Sequence, residues 1–368
     1  MINLTGFLSD EYFSRERNEM EIKTIQIKLQ DRSWEQISLV NDNGMVVTFM
    51  EFGGIITEII VPDRDGKKEN VVLAYKDPEQ YLTNPGYLGA LIGRVAGRVQ
   101  GAAFEIEDKV YHLDANEGDN NLHGGETGFH HVLWNIDTFV RDSELGAKLT
   151  YRSKAGEEGF PGNLDVEVTY TVNNNNQFVI DYRYVSDQKT PVTLTNHTYF
   201  NLSGAAKHTI HNQELRIDSN CFLELDNQLI PTGRLIEVED TSFDFRKLSR
   251  LDRGFHYDYF QNKVANGGYD HYYLFNDEKH GSAVMRDESS GRILIVETNQ
   301  PGVVMYTSNN LPEGLELTEG KTDKYLGVCL ETQGSPASLH HANLPSILCE
   351  AGEKMHKQTT FTFEIEKH

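Results

Sequence analysis

Three features of the sequence predict an all-β protein whose antiparallel sheets pack as a large sandwich or barrel. Apolar and polar residues alternate in many short runs from about residue 45 to the C-terminus, turn-forming clusters separate those runs, and convincing helices are few. The first turn cluster is Asp63-Arg64-Asp65-Gly66. A short helix is expected from Asp77 through Tyr81, with Leu82 and Thr83 behind it, before Asn84-Pro85-Gly86 breaks the chain. After the turn at Gly156 to Gly162, every even position of Leu164-Asp165-Val166-Glu167-Val168-Thr169-Tyr170-Thr171 is apolar and every odd one polar, the mark of a half-buried strand. Asn173 to Asn176 then turn the chain into a second strand, Gln177 to Val185. Further strands are expected over Leu215 to Leu225, Arg292 to Glu297, and Thr359 to Glu366, the last with Phe361, Phe363 and Ile365 on one face.

A chain of 368 residues is long enough to bury a large core. No Pro/Ser-rich linker, charge block or repeat marks a boundary, so residues 21–368 are read as a single β domain behind a polar N-terminal extension, 1–20. The balance of 34 Lys+Arg against 56 Asp+Glu gives a net charge of −22, which repels phosphate backbones and anionic lipid. Nucleic acid and membrane surfaces are therefore poor partners. No run approaches the roughly 18 to 20 apolar residues of a membrane span, and the first twenty residues carry no secretion-signal pattern. Three cysteines far apart, Cys221, Cys329 and Cys349, read as reduced thiols, so the cytoplasm is the expected location.

Four clusters, the first made of two segments, hold chemistry-bearing side chains. Gly93-Arg94-Val95-Ala96-Gly97-Arg98 and Asn120-Asn121-Leu122-His123-Gly124-Gly125 combine forked or polar donors with glycines that let a ligand approach the backbone. Neither contains a G-x-G-x-x-G or a Walker-type lysine, so nucleotide binding has little support. Thr195-Asn196-His197-Thr198-Tyr199-Phe200-Asn201-Leu202 sets one histidine, suited to proton transfer near neutral pH, among β-forming residues. Gly267-Gly268-Tyr269-Asp270-His271 and Leu330-Glu331-Thr332-Gln333 each bring a carboxylate. At the end of an apolar strand Glu331 is costly unless it is well partnered or functional. Between them, Gln300 in Asn299-Gln300-Pro301-Gly302 offers an amide for a hydroxyl. A metal site is not expected. His208 and His211 have H-x-x-H spacing, but His130-His131 and His340-His341 are adjacent pairs that a strand would split between its two faces.

Taken in order from about Val46 to Glu366, these segments, with Gly159-Phe160-Pro161-Gly162 and Phe243-Asp244-Phe245-Arg246, resemble the galactose mutarotase (aldose 1-epimerase) family. The resemblance implies a large antiparallel β-sandwich with a sugar cleft on one sheet and a reaction that interconverts the α and β anomers of free aldohexoses such as galactose and glucose. It implies Glu331 as general base and His197 as general acid, with Arg98, His123, Asp270 and Gln300 binding or supporting a monosaccharide substrate. It implies no cofactor and no metal. Gly97 stands where many members of the family carry Asn, and Ser242 where proline is frequent.

The residue types suit that chemistry. Opening a pyranose removes the proton of the anomeric hydroxyl and delivers one to the ring oxygen. Closure is the microscopic reverse, so each group works in both protonation states, which favours a carboxylate and an imidazole. Three other readings stay open at this point: a hexose-phosphate epimerase using Arg94 and Arg98, a glycosidase or lyase using Asp270 with Glu331, and a sugar-binding module without catalysis.

Overall fold

The protein is described here by a computed structural model, which describes residues 19–366 apart from 142 and 257. Residues 1–18, most of the expected extension, lie outside the described residues. Strands dominate: only one short α-helix, Phe260–Val264, and several 3₁₀ turns occur among the described residues.

Three antiparallel sheets carry the architecture. The largest has nine strands in the order Asn135–Arg141, Glu144–Ser153, Leu164–Asn173, Gln177–Ser186, Met355–Ile365, Arg292–Thr298, Gly281–Asp287, Glu214–Ile217 and Ser249–Arg250. A six-stranded sheet runs Tyr199–Phe200, Val328–Gln333, Gly302–Tyr306, Asp270–Leu274, Cys221–Leu225 and Pro231–Glu237. The first five strands, from Glu21–Lys28 to Lys68–Asn70, form the third. One continuous apolar core joins all three, with Val47 and Ile59 from the five-stranded sheet, Leu149, Tyr170, Leu294 and Phe361 from the nine-stranded sheet, and Val303 and Leu330 from the six-stranded sheet. The large antiparallel sandwich is therefore the fold, with alternating inward residues making the core as period-2 patterning requires.

Several expected elements match closely. Leu164–Asn173 alternates buried and half-exposed residues along its length, and its hairpin partner Gln177–Ser186 pairs across the Asn173 to Asn176 turn. Asp77 caps the expected helix by accepting from the Glu79 backbone N–H at 3.0 Å, with Pro78 in the first turn; the element is a 3₁₀ turn, Pro78–Leu82. Two expectations need correction. Strands begin at Glu21, well before residue 45, because Glu21–Lys28 is mostly exposed and shows little apolar alternation. Leu215 to Leu225 is two strands in different sheets, Glu214–Ile217 and Cys221–Leu225. The chain crosses between layers at Ser219, whose hydroxyl donates to the Cys221 and Leu274 carbonyls. Polar residues 218 to 220 were the visible warning.

Candidate active site

The strand Val328–Gln333 places the chemistry. Its alternation puts Val328, Leu330 and Thr332 toward the core, where Thr332 Oγ1 meets Thr359 Oγ1 of the nine-stranded sheet at 2.6 Å. Cys329, Glu331 and Gln333 take the other face. Burying Val328 and Leu330 contributes about 1.5–3 kcal/mol each, which helps offset the cost of a carboxyl in the same strand. Opposite Glu331 on the neighbouring strand stands Val304, and Asp270 lies opposite Tyr306 one strand further on.

Above this sheet, a short pair of strands brings in the glycine-rich segments: Arg98–Val99 pairs with Asn121–Leu122. His123 follows, locked to Gly97 twice. Its backbone N–H donates to the Gly97 carbonyl at 3.1 Å, and its Nδ1 accepts from the Gly97 N–H at 3.2 Å. That second bond leaves the proton on Nε2, so His123 is a donor. Gly97 has φ +86°, and a Cβ on Gly124 (φ +83°) would sit 2.2 Å from the Gly93 carbonyl oxygen, which explains the glycines here.

These elements enclose a cleft of about 210 Å³ lined by Arg98, Glu117, His123, His197, Asp270 and Glu331, with Tyr87, Tyr199, Tyr272 and Tyr306 supplying apolar walls. His197 Nε2 lies 3.5 Å from Glu331 Oε1, and the two side chains are only 6% and 3% exposed. Burial pushes the Glu331 carboxyl well above its ordinary range, with Asp270 adding repulsion and Arg98 opposing it. Burial also lowers His197 to about 4. His123 is held neutral in the same way, with repulsion from His197 and Arg98 adding to desolvation. The rings of His123 and His197 meet edge to face at 5.4 Å, and Tyr87 packs against both. Arg98 Nη1 approaches Asp270 Oδ2 at 3.6 Å, while its Nε and Nη2 grip Glu117. Burial raises the Asp270 carboxyl against the pull of Arg98.

Five of the six expected residues, Arg98, His123, His197, Asp270 and Glu331, thus line one cleft. Gln300 does not. Its side chain is buried, is not part of the cleft lining and donates to the Leu194 carbonyl at 3.1 Å, a placement that suits the supporting half of the expectation; on the following strand Val304 stands opposite Glu331. Arg94 is likewise withdrawn from the cleft. Its buried guanidinium donates to Ser153 Oγ and to the carbonyls of Ser153, Lys154 and Pro161, which makes it a structural cross-link between segments. Glu117 and the tyrosines went unnoticed in the sequence. Glu117 sits in an acidic loop with no pattern that separates it from a solvated turn, and only its contact with Arg98 reveals it. One metal-capable group exists among the described residues: His197, Cys329 and Glu331 offer ligand atoms all within 4.8 Å of one another. His197 Nδ1 lies 3.5 Å from Cys329 Sγ, whose thiol burial keeps protonated.

A buried carboxyl facing a buried imidazole across a cleft rich in hydroxyl-binding groups defines an acid–base enzyme on a β-sandwich. The comparisons with known proteins identify the kind. The family profile described as aldose 1-epimerase matches residues 35–362. Galactose mutarotase from Homo sapiens is 39% identical over 87% of this chain and 91% of its own length, and that from Mus musculus is 41% identical over 90% and 94%. The crystal structure of galactose 1-epimerase from Lactobacillus acidophilus superposes with a TM-score of 0.84 at 29% identity, covering 95% of this chain and all of that one. The chain belongs to the aldose 1-epimerase family.

Proposed function

We propose that the protein is an aldose 1-epimerase, interconverting the α and β anomers of free aldohexoses such as galactose and glucose. The observation that carries this reading is the 3.5 Å approach of His197 Nε2 to Glu331 Oε1 at the floor of the cleft. In the proposed mechanism Glu331 takes the proton of the anomeric hydroxyl while His197 delivers one to the ring oxygen. The C1–O5 bond breaks, O1 becomes the aldehyde oxygen, and rotation about C1–C2 presents the other carbonyl face before the steps reverse. Two protons move and no electron does, so this chemistry requires no redox cofactor. Arg98, His123 and Asp270 are the proposed hydroxyl-binding groups, held in place by the bonds described above.

A hexose-phosphate epimerase is disfavoured by the cleft's charge. Arg98 is the only Lys or Arg side chain lining it among the described residues, and Glu117 and Asp270 already face that cation. Three unpaired thiols, Cys221, Cys329 and Cys349, support a reducing compartment, and we assign the enzyme to the cytoplasm on that ground. The core shared by the three large sheets supports reading residues 21–368 as one domain. The test is polarimetry on freshly dissolved α-galactose and α-glucose: accelerated decay of rotation to the equilibrium value, with no product other than the anomer, is expected. Unaltered decay would refute the epimerase.

A further inference from the structure

Glu117 lies at the rim of the cleft and contacts Arg98, the only Lys or Arg side chain that lines it among the described residues. Arg98 Nε donates to Glu117 Oε2 at 2.5 Å and Nη2 to Oε1 at 2.8 Å, a bidentate fork. The loop that carries Glu117 is pinned. Its backbone exchanges hydrogen bonds with Asn120 at 3.1 and 3.0 Å, Asn120 Oδ1 accepts from the Gly101 N–H at 2.9 Å, and Asn116 brackets Leu122 through both side-chain amide atoms. The Arg98 side chain is 16% exposed and that of Glu117 37%, so the pair sits at the cleft rim with its cation buried, and the bidentate geometry and the pinned loop hold it in place. Its effect on the cleft is electrostatic as well as steric. Arg98 also faces Asp270 at 3.6 Å, and Glu331 adds a third carboxyl to the lining. Two carboxyl groups, Glu117 and Asp270, therefore share one guanidinium, with the Glu331 carboxyl in the same lining.

We propose that Glu117 is a specificity-determining residue: by clamping and neutralising Arg98, it makes the cleft accept uncharged hexoses and reject hexuronates and hexose phosphates. A sugar carboxylate or phosphate entering this cleft meets a guanidinium whose donors and charge are already taken, beside further carboxyls. A neutral hydroxyl loses nothing there. Glu117 also fixes the plane of Arg98, so the Nη1 donors stay directed toward Asp270 and the sugar. Glu117 is thus a positioning residue that acts through Arg98, and the inference rests on the epimerase reading of the same cleft.

The test compares α-D-galactose with α-D-galacturonate, which differ only at C6, by polarimetry after subtraction of the spontaneous rate. Wild-type protein should strongly prefer galactose. Glu117→Gln keeps the shape and one acceptor while freeing the positive charge of Arg98. It should raise the ratio of kcat/KM for galacturonate over galactose by about tenfold or more, with the change mainly in KM. Glu117→Asp should restore the wild-type ratio. If Glu117→Gln fails to fold, the wild-type ratio measured between low and high salt gives the same information, since screening should raise it. A ratio that stays constant in Glu117→Gln, or across salt where that variant does not fold, while galactose is turned over, overturns the proposal. Failure of the wild type to accelerate galactose itself would instead overturn the epimerase reading, and this inference with it.

Discussion

His197 Nε2 and Glu331 Oε1 face each other at 3.5 Å, both buried, and burial drives both toward their uncharged forms, the carboxyl upward and the imidazole down to about 4. The pair therefore holds one exchangeable proton over a wide pH range; it rests on Glu331 in the free cleft, and the reactive form is the one in which it has crossed to His197 Nε2, leaving Glu331 as base and His197 as acid. At lower pH His197 gains a second proton for the pair and no acceptor remains; at higher pH Glu331 loses the only one and no donor remains. A plot of kcat/KM against pH is expected to be bell-shaped, with an acid limb near the lowered imidazole value and an alkaline limb above the ordinary carboxyl range. A profile flat from pH 4 to 9 would show that this pair is not the one that titrates.

Replacement of Arg98 or Asp270 by Ala should act chiefly on binding. Each removes one side of the 3.6 Å contact: Arg98→Ala leaves the buried Asp270 without its cation, and Asp270→Ala frees Nη1 while Glu117 still holds the guanidinium, so KM should rise while kcat falls less. Steady-state kinetics on galactose decides this. Unchanged constants in both variants would place the sugar elsewhere.

Gln300→Met is expected to separate structure from function. The wild-type amide donates to the Leu194 carbonyl in a buried setting, and its loss leaves that acceptor unsatisfied at a cost of about 1–3 kcal/mol. Urea unfolding should show the loss, and KM for galactose should stay at the wild-type value. A raised KM with unaltered stability would return Gln300 to the cleft.

Stability should fall as the pH drops from 7 toward 4.5. His123, His130, His197 and His271 are all buried, and burial lowers each, His130 and His271 to about 3. Below about pH 6.5 the unfolded chain thus binds more protons than the folded one, and each histidine withdraws up to about 1.4 kcal/mol per pH unit across the window. Asp270 and Glu331, whose carboxyls are raised, work in the opposite sense, but two groups oppose four. Thermal unfolding at pH 7, 6 and 5 should give a falling Tm. A Tm constant over that range would mean that these imidazoles are hydrated in the folded protein.

The strands that were legible in the sequence are those with one wet and one dry face, such as Leu164–Asn173 and Gln177–Ser186, because only there does period-2 alternation appear. Val328–Gln333 is buried along its whole length, so its alternation of core and cleft sides is invisible as polarity and had to be inferred from the cost of Glu331. His197 and Glu331 were legible as an acid and base only through the family resemblance: a lone imidazole among β-forming residues reads equally as structural, and a carboxyl at the end of an apolar strand as well partnered. The place of Gln300 could not be read because a glutamine beside Pro301-Gly302 looks like a loop donor, whereas its partner, the Leu194 carbonyl, lies 106 positions away. Glu117 was unreadable for the same reason: its meaning depends on Arg98, brought near by the pairing of Arg98–Val99 with Asn121–Leu122.

The most direct test of the central claim is the turnover of Glu331→Gln on freshly dissolved α-galactose, followed by polarimetry beside the wild type. Glutamine keeps the size and part of the hydrogen bonding but neither takes nor returns the proton. kcat should therefore fall by roughly 10² to 10⁴, with sugar binding largely preserved. A folded Glu331→Gln enzyme with near-wild-type kcat would contradict the assignment of Glu331 as the proton acceptor.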